Sequence, residues 1–193
     1  MVPKKHIGLT ADNIYVYAII DNKHMLSHTD VSEDLILEAI QKVTFGLENT
    51  ERIITVDMGR IIGKQACVPT TPEDKIVLAR RPGQPHPSRI VCYKNPIPTT
   101  KLTLDLSIST TGKNMDGLLT VNTAYYGDKI PKELNDPELS DQEKTEAEAY
   151  WKNHALCSLA IFGKHQPPRE AIFPKEPNMP SVRTNRTEDE LCL

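Results

Sequence analysis

The sequence predicts an α+β fold: a mostly antiparallel β-sheet packed by an N-terminal and a C-terminal helix, with an extended C-terminal tail. Three observations carry this expectation. In KLTLDLSIS, Leu102, Leu104, Leu106 and Ile108 alternate with Thr103, Asp105, Ser107 and Ser109, the period of a strand with one buried face. A second run, Leu118 to Tyr126, follows a Gly/Asn/Asp-rich turn at 110–117 and can pair back antiparallel on the first. Two stretches of helical periodicity flank the strand-rich middle, and Pro167, Pro168, Pro174, Pro177 and Pro180 punctuate the end.

Taken in order, NIYVYAII (13–20) is rich in β-branched and aromatic residues and reads as a strand. Asp30 with Glu33 resembles a helix start, and Leu35, Ile36, Ala39, Ile40, Val43 and Leu47 recur on one side, so a helix is predicted over 31–47. RIITVDM (52–58) is the next strand, and GRIIGK allows a bend between strands. Short strands are expected at 65–68, 75–79 and 89–93. The last two flank ARRPGQPHPSR, a loop whose prolines preclude regular structure. After Gly127, Ser140 and Glu143 form an S-x-x-E capping signature. The helix it starts is expected to run to about Cys157, with Ala147, Trp151, His154, Ala155 and Ser158 along one face. One domain over 6–163 and a Pro-rich tail over 164–193 result.

Composition narrows the class. At 193 residues, 38% hydrophobic and 25% charged, the chain suits a globular domain with a core. No apolar run approaches the ~20 residues of a membrane helix, and MVPKKHIGLTADN lacks the apolar core of a secretory leader. A cytoplasmic protein without a membrane partner is therefore expected. Cys67, Cys92, Cys157 and Cys192 are widely spaced and read as reduced thiols rather than zinc ligands. The net charge of -3 hides a segregation. Residues 75–113 hold seven bases against Asp105, whereas 128–151 hold eight acids against three lysines. Either the basic run attracts an anionic partner, or the two runs neutralise each other in the fold.

The chain has no G-x-S-x-G elbow, no dinucleotide fingerprint and no acidic metal cluster, so neither a cofactor nor a metal is expected. GRIIGK lacks the glycine spacing of a phosphate loop, and HMLSH (24–28) lacks the glutamate of a zinc helix. Acid–base chemistry falls to histidine. His154 is either a catalytic group or a core histidine beside Trp151; His86 is either catalytic or an exposed loop residue. Arg80, Arg81, Arg89 and Lys94 either hold phosphates or are solvated strand-edge charges. Thr123 and Tyr125 are expected on one face of their strand, and Asn122, Ala124 and Tyr126 on the other. Such residues line a nucleotide site or form a solvated sheet face.

The order of a basic strand, KLTLDLSIS, a turn and GLLTVNTAYYG resembles the C-terminal half of the metal-independent ribonuclease superfamily that includes barnase, EndoU, colicin ribonuclease and RelE-type domains. The resemblance spans about residues 89–127 and rests on Arg89, Lys94, Thr120, Thr123 and Tyr126. It implies RNA as the partner and endoribonuclease chemistry without a metal. In that reading Arg80, Arg81 and Arg89 hold phosphates, His154 or His86 moves the proton of the ribose 2′-hydroxyl, and Thr123 and Tyr126 position the scissile group. The alternative is a non-catalytic module that binds RNA or an acidic protein.

Overall fold

A computed structural model of the chain describes residues 4–11, 15–19, 30–44, 53–82, 84, 86–108 and 119–167. The fold is mixed α+β with mostly antiparallel sheets. The chain forms two compact units, each discontinuous in sequence. The first comprises residues up to Gln65 and Pro98–Lys129; the second comprises Ala66–Ile97 and the chain from Ile130. The tail beyond 167, the turn at 110–117, His24 and His28 lie outside the described residues.

In the first unit a five-stranded sheet has the order β1-β2-β10-β9-β3, with β1 Lys4–Leu9, β2 Tyr15–Ile19, β3 Ile53–Asp57, β9 Lys101–Ile108 and β10 Leu119–Tyr126. The predicted hairpin pair is its middle: β9 and β10 are antiparallel, β3 joins β9 antiparallel, and β2 joins β10 in parallel. Helix α1 (Glu33–Lys42) starts at Ser32, whose hydroxyl accepts from the Leu35 N–H. It is shorter than the predicted 31–47, because Val43 is already extended. Its buried Ile36, Ala39 and Ile40 form one core with Leu102, Leu104, Leu106, Val56, Val121 and Ala124. Three-fold and two-fold apolar periods thus meet at a single helix-on-sheet layer. A ribbon of β4 (Gly63–Gln65) and β8 (Ile97–Thr99) accompanies this unit.

The register of β9 and β10 shifts between Val121 and Thr123, leaving Asn122 as an extra residue. This bulge changes the predicted faces. Asn122 was expected beside Ala124 and Tyr126; instead its side-chain oxygen accepts from Ser107 at 3.1 Å, on the polar face. The bulge is also why Val121 and Ala124, three apart, both enter the core.

In the second unit a four-stranded sheet has the order β5-β11-β7-β6, with β5 Cys67–Pro69, β6 Ile76–Arg80, β7 Pro87–Val91 and β11 His154–Cys157. Helix α2 (Asp141–Trp151) opens on the predicted capping box, the Ser140 hydroxyl accepting from the Glu143 N–H and the Glu143 carboxylate from the Ser140 N–H. It does not run to Cys157 as expected. Ala155, Leu156 and Cys157 are buried in β11, antiparallel to β5 and parallel to β7. A short apolar run has no periodicity to separate a buried strand from a helix continuation. A short helix α3 (Ser158–Phe162) follows and ends on Gly163, whose φ of 65° is left-handed.

The capping box yields a pH prediction. Hydrogen bonds from the Ser140 backbone and hydroxyl, aided by Lys132, hold the Glu143 carboxyl down to about 2 from an ordinary value of 4.5. A depressed carboxylate stabilises the fold fully above its unfolded value and loses that contribution as pH falls towards 2. Glu143→Gln should therefore lower stability at pH 6 and shrink the loss between pH 4.5 and 2, followed by urea unfolding at each pH. Ser140→Ala should cost about 1 kcal/mol at neutral pH.

Candidate functional site

The second unit gathers chemistry-bearing side chains at one end of its sheet. Strands β11 and β7 run in parallel with Leu156 opposite Ile90, so their first residues, His154 and Pro87, lie at the same end. Strand β6 is antiparallel to β7 and ends there, with Arg80 opposite Pro87. His86 and Arg81 belong to the connection between these two strands and occupy that end too. Pro69, the last residue of β5, pairs with His154.

His154 is half-buried and starts β11, not the last turn of a helix as expected. Its Nδ1 lies 3.0 Å from the Tyr150 carbonyl oxygen. A carbonyl can only accept, so Nδ1 is the donor, and Nε2 is the nitrogen that holds the lone pair whenever the ring is neutral. Among the described residues Nε2 has no hydrogen-bond partner. The same carbonyl also accepts from the Asn153 N–H at 3.1 Å, so the imidazole joins a backbone bond that already closes the last turn of α2. The imidazole lies flat on the Tyr150 ring, centroids 4.1 Å apart and planes 6° apart. Tyr150 meets Trp151 edge-on, and the Trp151 indole N–H donates to the Lys132 carbonyl at 3.0 Å. The Tyr150 hydroxyl is 3.4 Å from the Cys67 sulfur. Burial pushes the Cys67 thiol up to about 11, so it stays protonated at neutral pH.

The cations divide by face. Side chains of Ser88 and Ile90 share one face with Leu156, and strand alternation assigns His154 to that face. Arg89 and Arg80 leave β7 and β6 on the other. Arg89 reaches back through Nε to the His154 carbonyl oxygen at 3.2 Å. Arg80 is exposed, with no ion pair among the described residues. Arg81 does not project as a free phosphate ligand. Its Nε donates to the Ser88 hydroxyl at 2.8 Å, and its guanidinium pairs with Glu133 at 2.5 Å. Ser88 in turn donates to the same Glu133 oxygen. Lys94 likewise donates to the Pro69 carbonyl and pairs with Asp74 at 2.7 Å, clasping the loop before β6. In the first unit Lys101 pairs with Asp128. The segregated charges of the sequence thus neutralise each other at Arg81–Glu133 and Lys101–Asp128.

Thr123 and Tyr126 belong to the first unit and cannot grip one group together. Thr123 lies opposite Asp105 on the polar face, whereas Tyr126 lies opposite Leu102 and packs on the core. Burial, then the charge of Asp30, raises the Tyr126 hydroxyl above its ordinary value, and Gly63 lies so close that a Cβ there would stand 2.6 Å from the ring. Thr120 is buried opposite Ser107. Among the described residues no three His, Cys, Asp or Glu side chains converge in a way that could hold a metal. No helix among them is long and apolar enough to cross a membrane.

Sequence reasoning missed Tyr150, Glu133, Ser88 and Asp74. Tyr150 stands four residues before His154, but the contact joins the end of α2 to the start of β11, so helical spacing does not account for it. Comparison with protein-family models, curated proteins and solved structures finds no match.

The Arg81–Ser88–Glu133 cluster is partly shielded, the Arg81 and Glu133 side chains being 27% and 20% exposed. Glu133→Ala strips Ser88 and Arg81 of their acceptor and should lower stability by about 1–3 kcal/mol in urea unfolding. A change within experimental error would mean that Arg81 is not held this way in solution.

Proposed function

We propose that the chain is an endoribonuclease-like domain that cleaves RNA without a metal, with His154 as its base. The observation that carries this reading is the His154 ring. Its Nδ1 proton is committed to the Tyr150 carbonyl, and Nε2 is the nitrogen left to accept a proton. An RNA strand crossing the end of the sheet meets His154 from one face and Arg80 and Arg89 from the other. Nε2 takes the 2′-hydroxyl proton and the 2′-oxygen attacks phosphorus. The P–O5′ bond breaks, and the departing 5′-oxygen takes a proton from His86 or water. The products are a 2′,3′-cyclic phosphate and a 5′-hydroxyl, and the imidazolium returns its proton to solvent. Arg80 and Arg89, on the opposite face, hold neighbouring phosphates of the strand rather than the phosphoryl group under attack.

The second reading, a non-catalytic module for RNA or an acidic protein, is favoured by the internal pairing of Arg81 and Lys94. That pairing leaves fewer cations to stabilise a transition state.

Incubating labelled RNA with the protein and excess EDTA separates the two. The catalytic reading expects cleavage to cyclic-phosphate ends, reduced at least 100-fold in His154→Ala and at least tenfold in Arg80→Ala/Arg89→Ala. His86→Ala distinguishes an acid (reduced rate) from a bystander. Intact RNA in every lane with a salt-sensitive gel shift would favour the binding module.

A further inference from the structure

A histidine base works only if its tautomer and ring plane are fixed, and one residue meets both needs here. Tyr150 contributes its carbonyl oxygen to Nδ1 and its ring to the flat face of the imidazole. The ring is itself held. The Cys67 sulfur contacts the hydroxyl at its far end, and Trp151 meets its edge at 86°. Trp151 is buried and tied to Lys132. Cys67 is 3% exposed and faces Leu156 across the β5–β11 ladder, so the anchor belongs to the core beside the strand that carries His154.

We propose that Tyr150 is a positioning residue for His154, holding Nδ1–H and the ring plane so that Nε2 faces substrate, with the Cys67 thiol as the anchor of the Tyr150 ring. The catalytic consequence rests on the ribonuclease reading; the control of the tautomer does not. An imidazole free in water favours the opposite tautomer, with the proton on Nε2. The Tyr150 contacts therefore reverse the intrinsic preference and leave Nε2 as the base. The buried thiol has the same logic. Far from a nucleophile, a protonated sulfur among apolar neighbours is a small, weakly polar seat for a phenol hydroxyl.

The test reads the tautomer directly, by long-range 1H–15N correlation at the His154 ring in the full-length chain at a pH where the ring is neutral. It is repeated for Tyr150→Leu, Tyr150→Phe and Cys67→Ala, with circular dichroism to verify folding. The wild type should show Nδ1–H. Tyr150→Leu, which keeps the carbonyl and loses the ring, should shift the ring toward the Nε2–H tautomer. It should also lower kcat for RNA about 10- to 100-fold with little change in KM, the signature of a misplaced reacting group. Tyr150→Phe and Cys67→Ala should each produce a smaller shift in the same direction.

A folded Tyr150→Leu that retains Nδ1–H and full activity overturns the positioning role. If that variant does not fold, an unchanged tautomer and rate in both Tyr150→Phe and Cys67→Ala overturns the anchoring of Tyr150 by Cys67. If no protein cleaves RNA but the tautomer is Nδ1–H in the wild type and lost in Tyr150→Leu, the ribonuclease reading fails and the positioning of His154 by Tyr150 stands.

Discussion

Strand β11 is bonded on both sides, by β5 and β7, and its Ala155, Leu156 and Cys157 are buried. That placement governs the rest of the second unit. Backbone groups of a central strand must find partners along both edges, so the chain cannot continue the helix that precedes it. Helix α2 stops at Trp151, the backbone turns through Lys152 and Asn153, and His154 enters the sheet with its ring folded back under Tyr150. A helix continued to Cys157 would keep His154 one turn beyond Tyr150, but its backbone would be spent on helical hydrogen bonds and would offer nothing to Pro69 or Arg89. The capping of α2, the His154 tautomer and the gathering of His86, Arg80 and Arg89 at one end of the sheet all follow from one strand taking the central place.

Charge has a second organising role. The basic run over 75–113 and the acidic run over 128–151 are separated in sequence yet meet within each unit, Lys101 with Asp128 and Arg81 with Glu133. Exposed pairs such as Lys101–Asp128 contribute at most about 1 kcal/mol each. Arg81–Glu133 is less exposed and is hydrogen-bonded through Ser88, so it fixes the root of the β6–β7 connection more firmly. The consequence for function is subtractive. Arg81 and Lys94 are structural cations, Arg89 is tied to the His154 carbonyl, and Arg80 is exposed with no ion pair among the described residues.

The strands were legible where alternation is clean. Leu102, Leu104 and Leu106 show which face of β9 is buried, and the β-branched residues of 53–57 and 15–19 mark their strands. The Ser140 capping box marks the start of α2 because its chemistry is local. Three features were not legible. The bulge at Asn122 depends on how β9 and β10 pair, so alternation alone assigned Asn122 to the wrong face. The strand 154–157 is too short for a period to distinguish it from helix. The division into two units escaped the sequence reading because each unit is assembled from separated segments, although Pro96, Pro98 and Pro131 stand beside two of its three breaks. For the candidate site, residue types were readable but partners were not. Histidines and arginines stand out in a sequence, whereas the carbonyl under His154 and the carboxylate beside Arg81 come from 4 and 52 residues away.

The ribonuclease reading proposed above requires RNA to bind and be cut at the end of the β5-β11-β7-β6 sheet that His154 opens. The most direct measurement is an NMR titration of the isotope-labelled protein with a short 2′-O-methyl RNA, which binds like substrate and cannot react. Perturbations are expected at the His154 ring and at the Arg80, His86 and Arg89 amides, weakening with added salt. Perturbations confined to Asp105, Ser107, Asn122 and Thr123, or none at all at saturating RNA, would contradict that reading.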